Sequence, residues 1–362
     1  MKTVRILIAL CAFAWLLAYV VPFEHPLPRS PARQLEINRQ QYGIAGQALL
    51  VARDGRVLFR GVDGEADVDT HERVTAEHIF PVYSLSKLFV SVLVMQLVEQ
   101  GTVDLDRPAS VYVTGLPASW QAIAVRDFLD HTSGVPEYFD TAVPLSPATV
   151  FPDSAQAAFA SLADRPLTFA TGTETRYTQT NYLVLGALLE AHYGKPYTQV
   201  AEERIVRRLG LRHTWLGTAV LPERGVVTSY LGKDGRLERD VVVTWPDYAM
   251  AHAGLYMTLD DLAVFLRAVT SGELVGKATL ARLWQPRTLA GGERGWFAAG
   301  WEYGESGAQR YVGHDGGARV RVRIVFGQSL DDGVQTVIYL TNGSASNVWT
   351  RKLVDSVISA AP

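Results

Sequence analysis

The stretch that most restricts how this chain can fold is residues 84–100, SLSKLFVSVLVMQLVEQ, which ends at Gly101. Leu88, Phe89, Val92, Leu93, Met95, Leu97 and Val98 run around the whole circumference of the helix this pattern predicts. A helix that is apolar on nearly every side has to be enclosed by other elements, so the fold is expected to be built around it. The helix also opens on Ser84 and Lys87, which three-residue spacing places on one face of its first turn. Enclosure therefore takes a hydroxyl and an amine out of water together. A helix N-terminus favours an alkoxide and apolar surroundings disfavour an ammonium, so both effects help the amine take the serine proton. Only six of the 34 basic residues are lysines, and arginine keeps its proton near neutrality. Taken alone, the same four residues also fit a serine cap with a lysine reaching out to solvent.

Composition narrows the alternatives. The 362 residues suffice for one large domain or two intimate subdomains, and a formal net charge of −3 with no basic run argues against nucleic acid as a partner. The one cysteine, Cys11, lies in the N-terminal apolar stretch, which leaves no disulfide and no thiol nucleophile for the folded part. The eight histidines have no short ligand spacing, so neither a metal nor another cofactor is expected. Lys2 and Arg5 precede an apolar run over residues 6–21 with no small-residue cleavage site after it. Residues 1–24 are accordingly read as a signal peptide or, preferably, an uncleaved membrane anchor, with the rest of the chain outside the cytoplasm, as in a periplasm.

Periodicity predicts a helix over residues 33–42, a hairpin over 46–61 turning at Asp54-Gly55, and helices over 125–131, 155–162, 181–192, 197–209 and 259–271. Strands are expected over residues 311–312, 319–326 and 336–340, with a last helix from Asn347. The domain at 25–362 then divides into an α/β part, about 33–85 and 246–362, and a mainly helical part, about 86–245.

Further blocks follow in order. Residues 125–138 read VRDFLDHTSGVPEY, residues 177–186 read YTQTNYLVLG, residues 253–262 read AGLYMTLDDL, and residues 313–317 read GHDGG. Together with residues 78–106 they resemble the class C β-lactamase and penicillin-binding-protein group of serine hydrolases, over about residues 35–355. The resemblance implies a β-lactamase/transpeptidase-like fold of α/β (α+β) class, an antiparallel sheet flanked by helices. It implies Ser84 as nucleophile, Lys87 as base, Tyr177 as proton shuttle, and His131 as a loop support. It gives His314 as a donor toward a substrate carboxylate or oxyanion, and Gly316 as a place where backbone approaches closely. The oxyanion donors it suggests are the Ser84 N–H and one near Ala318 or Arg319.

Two departures stand out. Gln179 takes the place of the group's asparagine, keeping the carboxamide and lengthening its reach by one methylene. Arg319 and Arg321, at strand alternation, either bind a substrate carboxylate or form a solvated strand face. Gly304-Glu305-Ser306-Gly307 is no nucleophile elbow, since Ala308 stands where a glycine is needed. The expectation is a hydrolase that acylates Ser84 with a small ester, D-amino-acid peptide or β-lactam substrate, the first two classes being favoured. The alternative is a low-turnover or non-catalytic regulatory protein on the same fold.

Overall fold

The computed structural model describes residues 30–140, 145–146, 148–241, 243–317 and 319–358. The leader expected at 1–24 and Ala318 lie outside the described residues, and no described helix is long and apolar enough to cross a membrane.

Helix α1 (Pro31–Tyr42) starts where the Ser30 hydroxyl accepts the Arg33 N–H at 3.3 Å and stops at Gly43, φ 60°. Strands β1 (Gly46–Arg53) and β2 (Arg56–Asp67) turn at Asp54-Gly55, both at positive φ, as a tight hairpin requires. After β3 (Glu72–Arg73) and β4 (Ile79–Tyr83) comes helix α2 (Ser86–Glu99), in which every residue from Ser86 to Leu97 is buried.

The middle of the chain carries α3 (Val125–Leu129), α4 (Ala155–Ser161), α5 (Thr180–Tyr193) and α6 (Tyr197–Ala201), which passes through a π turn into α7 (Arg207–Leu209). It also contains strands β5 (Thr214–Leu216), β6 (Tyr230–Lys233) and β7 (Arg236–Arg239), which the periodicity of this region did not indicate. Asp234-Gly235, at φ 51° and 75°, repeats the hairpin device of Asp54-Gly55. β5 has only three residues, too few for an alternating pattern to show.

The remainder comprises β8 (Leu255–Thr258), α8 (Leu259–Thr270), α9 (Lys277–Leu283), β9 (Phe297–Ala298), β10 (Trp301–Ser306), β11 (Gln309–Gly316), β12 (Val320–Phe326), β13 (Gln335–Thr341) and α10 (Thr350–Ile358).

The main sheet is antiparallel, in the order β3-β2-β1-β13-β12-β11-β10-β9. The two ends of the sequence meet at its centre, where Leu50 pairs with Ile338 and Ala48 with Leu340. Period-two alternation gives the sheet two working faces. Leu49, Val51, Val337 and Tyr339 pack with Leu35, Leu353 and Val354 of α1 and α10. Ala48, Leu50, Ile338 and Leu340 instead join the large core around α2. A three-stranded sheet, β4-β8-β5, lies apart from the main one and carries the chain into α2.

Candidate active site

Ser84 sits in the turn between β4 and α2. The preceding Tyr83 has φ 48°, an uncommon conformation for a bulky residue, and it makes the strand turn abruptly into the helix. The cap-and-snorkel explanation of Ser84 and Lys87 does not survive. Leu85 occupies the cap position with no side-chain hydrogen bond, and Lys87 is completely buried.

The Lys87 amine donates to Ser84 Oγ at 3.4 Å, to Gln179 Oε1 at 2.6 Å and to the His252 carbonyl at 2.9 Å. All three acceptors are neutral. Burial holds the amine well below the ordinary lysine range, with the Glu137 carboxylate pulling the other way. The Tyr177 hydroxyl donates to Ser84 Oγ at 2.8 Å, and the Tyr177 ring lies 4.9 Å from the amine. Burial of that hydroxyl raises its pKa, so the phenol keeps its proton, although 39% of the residue's surface stays open.

Gln179 makes its contact with Lys87 despite the extra methylene. It stands at the cap position of α5 yet gives that helix no side-chain bond, because its carboxamide is turned to the lysine. The cap comes from Glu137. One carboxylate oxygen accepts the Gln179 N–H at 2.8 Å and the Thr178 hydroxyl at 3.0 Å, and the other accepts the Thr180 N–H at 3.2 Å and hydroxyl at 3.0 Å. The sequence blocks assign no role to Glu137 or to His252.

His131 is fully buried and supports the loop. Its Nδ1 accepts the Thr178 N–H at 3.3 Å and pairs with the Asn181 amide at 2.9 Å, and its ring lies 4.5 Å from that of Tyr177. Desolvation keeps it neutral, its pKa well below the usual histidine value. His252 is held in turn by Tyr138, whose hydroxyl is 2.9 Å from Nε2.

β11 brings the third block to the site. Its close approach depends on Gly316, where a Cβ would meet the Val82 carbonyl oxygen at 2.4 Å. His314 is buried, with Nδ1 2.7 Å from the Asp315 carbonyl. A carbonyl only accepts, so Nδ1 carries the proton and Nε2, buried and without a partner among the described residues, presents a lone pair. Burial, assisted by Lys87, lowers the His314 pKa to about 4. Near neutrality the imidazole is therefore a hydrogen-bond acceptor, the reverse of the donor expected from sequence.

The arginines after it form neither a solvated face nor a free carboxylate clamp. Arg319 pairs with Asp240 at 2.6 Å and with the Tyr83 hydroxyl, and its backbone N–H is taken by the Gly316 carbonyl at 3.3 Å. Arg321 is buried and bonded to Asp315 and Glu302. The carboxylates that hold these side chains come from other strands and loops, which is why alternation within one strand misjudged them.

The profile described as Beta-lactamase matches residues 32–354. The chain belongs to the beta-lactamase family. Among curated relatives, the D-aminopeptidase of Brucella anthropi is 27% identical over 288 residues, which is 77% of this chain and 53% of that protein. The chain thus spans about half the length of that relative. The octameric penicillin-binding protein homologue from Pyrococcus abyssi has the same fold, with TM-score 0.76 and 20% identity over 91% of this chain and 76% of its own. So does the D-amino acid amidase from Ochrobactrum anthropi SV3, with TM-score 0.74 and 22% identity over 91% and 96% of the two chains. The antiparallel sheet with flanking helices is the family's fold.

Proposed function

We propose that this protein is a serine hydrolase that forms an acyl-enzyme at Ser84 on amides or esters. The observation that carries this reading is a serine oxygen touched at once by a buried amine and by a phenol. The amine, deprived of water and of a hydrogen-bonded anion, takes the Ser84 proton as the oxygen attacks a carbonyl. The phenol, its pKa raised by burial, serves as donor: it steadies the developing alkoxide and passes a proton to the leaving group, while the lysine ammonium resupplies it. Water then releases the acyl group by the same steps in reverse.

The surroundings bear on substrate class. Among the described residues, Arg319 and Arg321 are already matched by carboxylates, and His314 offers a lone pair. This arrangement favours substrates whose leaving side carries a hydrogen-bond donor or no charge over those ending in a free carboxylate. D-Aminoacyl amides are the first compounds to try, given what the relatives are named for. Residues 6–21, behind Lys2 and Arg5, support a location outside the cytoplasm, which fractionation of cells would test.

The experiment is a hydrolysis panel of D- and L-aminoacyl amides, a chromogenic ester, D-peptides with free and with amidated C-termini, and a cephalosporin. Turnover of the amides or ester is expected, with amidated D-peptides cleaved about tenfold or more faster than their free acids. Preference for the free acids or for the cephalosporin would overturn the substrate assignment.

A further inference from the structure

We infer that Glu137 is a positioning residue of this site, gripping the start of α5 so that Tyr177 reaches Ser84 and Gln179 reaches Lys87. The inference rests on the acyl-enzyme reading above. A helix start ordinarily satisfies its free N–H groups with the side chain of its own cap residue. Here that residue is Gln179, and its side chain is spent on Lys87. The helix consequently borrows a carboxylate from a loop 41 to 43 residues earlier in the chain.

The four bonds fall on Thr178, Gln179 and Thr180, the segment that directly continues from Tyr177. Releasing them frees both side chains that touch the nucleophile and its base. Glu137 has a second influence, since its negative charge favours the Lys87 ammonium over the free amine.

The other groups facing Lys87 are His131, His252 and His314, and the rings of Tyr177 and Tyr182 at 4.9 and 5.3 Å. Those facing Glu137 are Tyr138 and Tyr177, with Arg165 reaching its backbone carbonyl at 3.4 Å. Among them Glu137 is the anion acting on the lysine.

The test compares wild type with Glu137→Gln and Glu137→Asp, using the rate of labelling by a fluorophosphonate across pH, normalised to folded protein by circular dichroism. Ser84→Ala serves as the blank. Glu137→Gln has one carbonyl oxygen for five donors, the four from residues 178–180 and the Tyr138 N–H at 3.1 Å, so labelling should slow by roughly 10- to 100-fold. Loss of the charge should also move the acid limb of the rate, where Lys87 must lose a proton, to lower pH by about half a unit or more. Glu137→Asp keeps the charge with a shorter reach, so it should label slowly with its acid limb near that of wild type. A Glu137→Gln protein that melts lower yet labels at the wild-type rate with an unmoved limb would make the residue a helix cap and nothing more. If wild type itself is not labelled above the Ser84→Ala blank, the acyl-enzyme reading has failed instead, a result distinct from equal labelling of variant and wild type.

Discussion

Two long cations are buried in this protein to the same degree, Lys87 at 0% exposure and Arg321 at 1%, and they have opposite surroundings. Lys87 is ringed by neutral acceptors, a serine oxygen, a carboxamide and a backbone carbonyl. Arg321 meets Asp315 and Glu302, and Arg351 joins the same carboxylates at 3.2 and 3.5 Å. Burial alone therefore does not decide what a cation does. Without an anion in its hydrogen-bond shell the lysine is biased toward the free amine, the form that the proposed mechanism uses as a base. Among anions the arginine becomes a strut between β10, β11 and β12. The difference suits the chemistry of each side chain, since an amine gives up its proton readily when buried and a guanidinium does not.

The comparison can be broken most sharply at the lysine. Lys87→Arg keeps several donors but cannot act as a base and fixes a charge among neutral acceptors, so kcat should fall on the order of a thousandfold and thermal unfolding should move to lower temperature. In wild type the kcat/KM profile should rise as Lys87 loses its proton, with a midpoint well below the ordinary lysine value because burial lowers that pKa. A Lys87→Arg enzyme with substantial activity would remove the lysine from the mechanism.

At the strut the expected loss is in stability. Arg321→Met leaves the buried Asp315 and the half-buried Glu302 with one partner fewer and should destabilise the fold by about 3 kcal/mol, read as a lower denaturant midpoint. Burial and Asp315 already raise the Glu302 pKa, so the deficit should shrink as acid neutralises that carboxyl. A midpoint that stays put would mean that Arg351 alone suffices.

The smallest effect extends the comparison to acids. Asp127 is bound by Arg287 and the Thr132 hydroxyl, whereas among the described residues its neighbour Asp130 accepts one N–H, from Gly300 at 3.3 Å, and burial raises its pKa to about 7. A carboxyl whose pKa is higher in the folded than in the unfolded chain favours folding below about pH 4, and this advantage is lost as pH rises toward 7. Asp130→Asn should accordingly raise stability at pH 8 by about 1 kcal/mol and leave it unchanged near pH 4. A gain of equal size at both pH values would show that the carboxyl's charge is not the cause.

Much of this could be read in the sequence. The helix of residues 84–100 announced its own burial, and with it the fate of Lys87, because an apolar circumference has one structural solution. Tyr177, Gln179 and His314 were found because each sits in a short block whose order along the chain is constrained. What escaped has a common cause. His252 acts through its backbone carbonyl, which every residue possesses and no motif marks. Glu137 acts across some forty residues on the start of α5. The tautomer of His314 depends on a neighbouring carbonyl, and the partners of Arg319 and Arg321 depend on strand register. Such features appear only when segments distant in sequence are brought together.

The most direct test is the site and rate at which a serine-directed electrophile modifies the nucleophile. Intact-protein and peptide mass spectrometry after fluorophosphonate treatment should find one adduct per chain, on Ser84, absent in Ser84→Ala and strongly slowed in Lys87→Arg. An adduct on another residue, or labelling that persists undiminished in Ser84→Ala, would contradict Ser84 as the nucleophile.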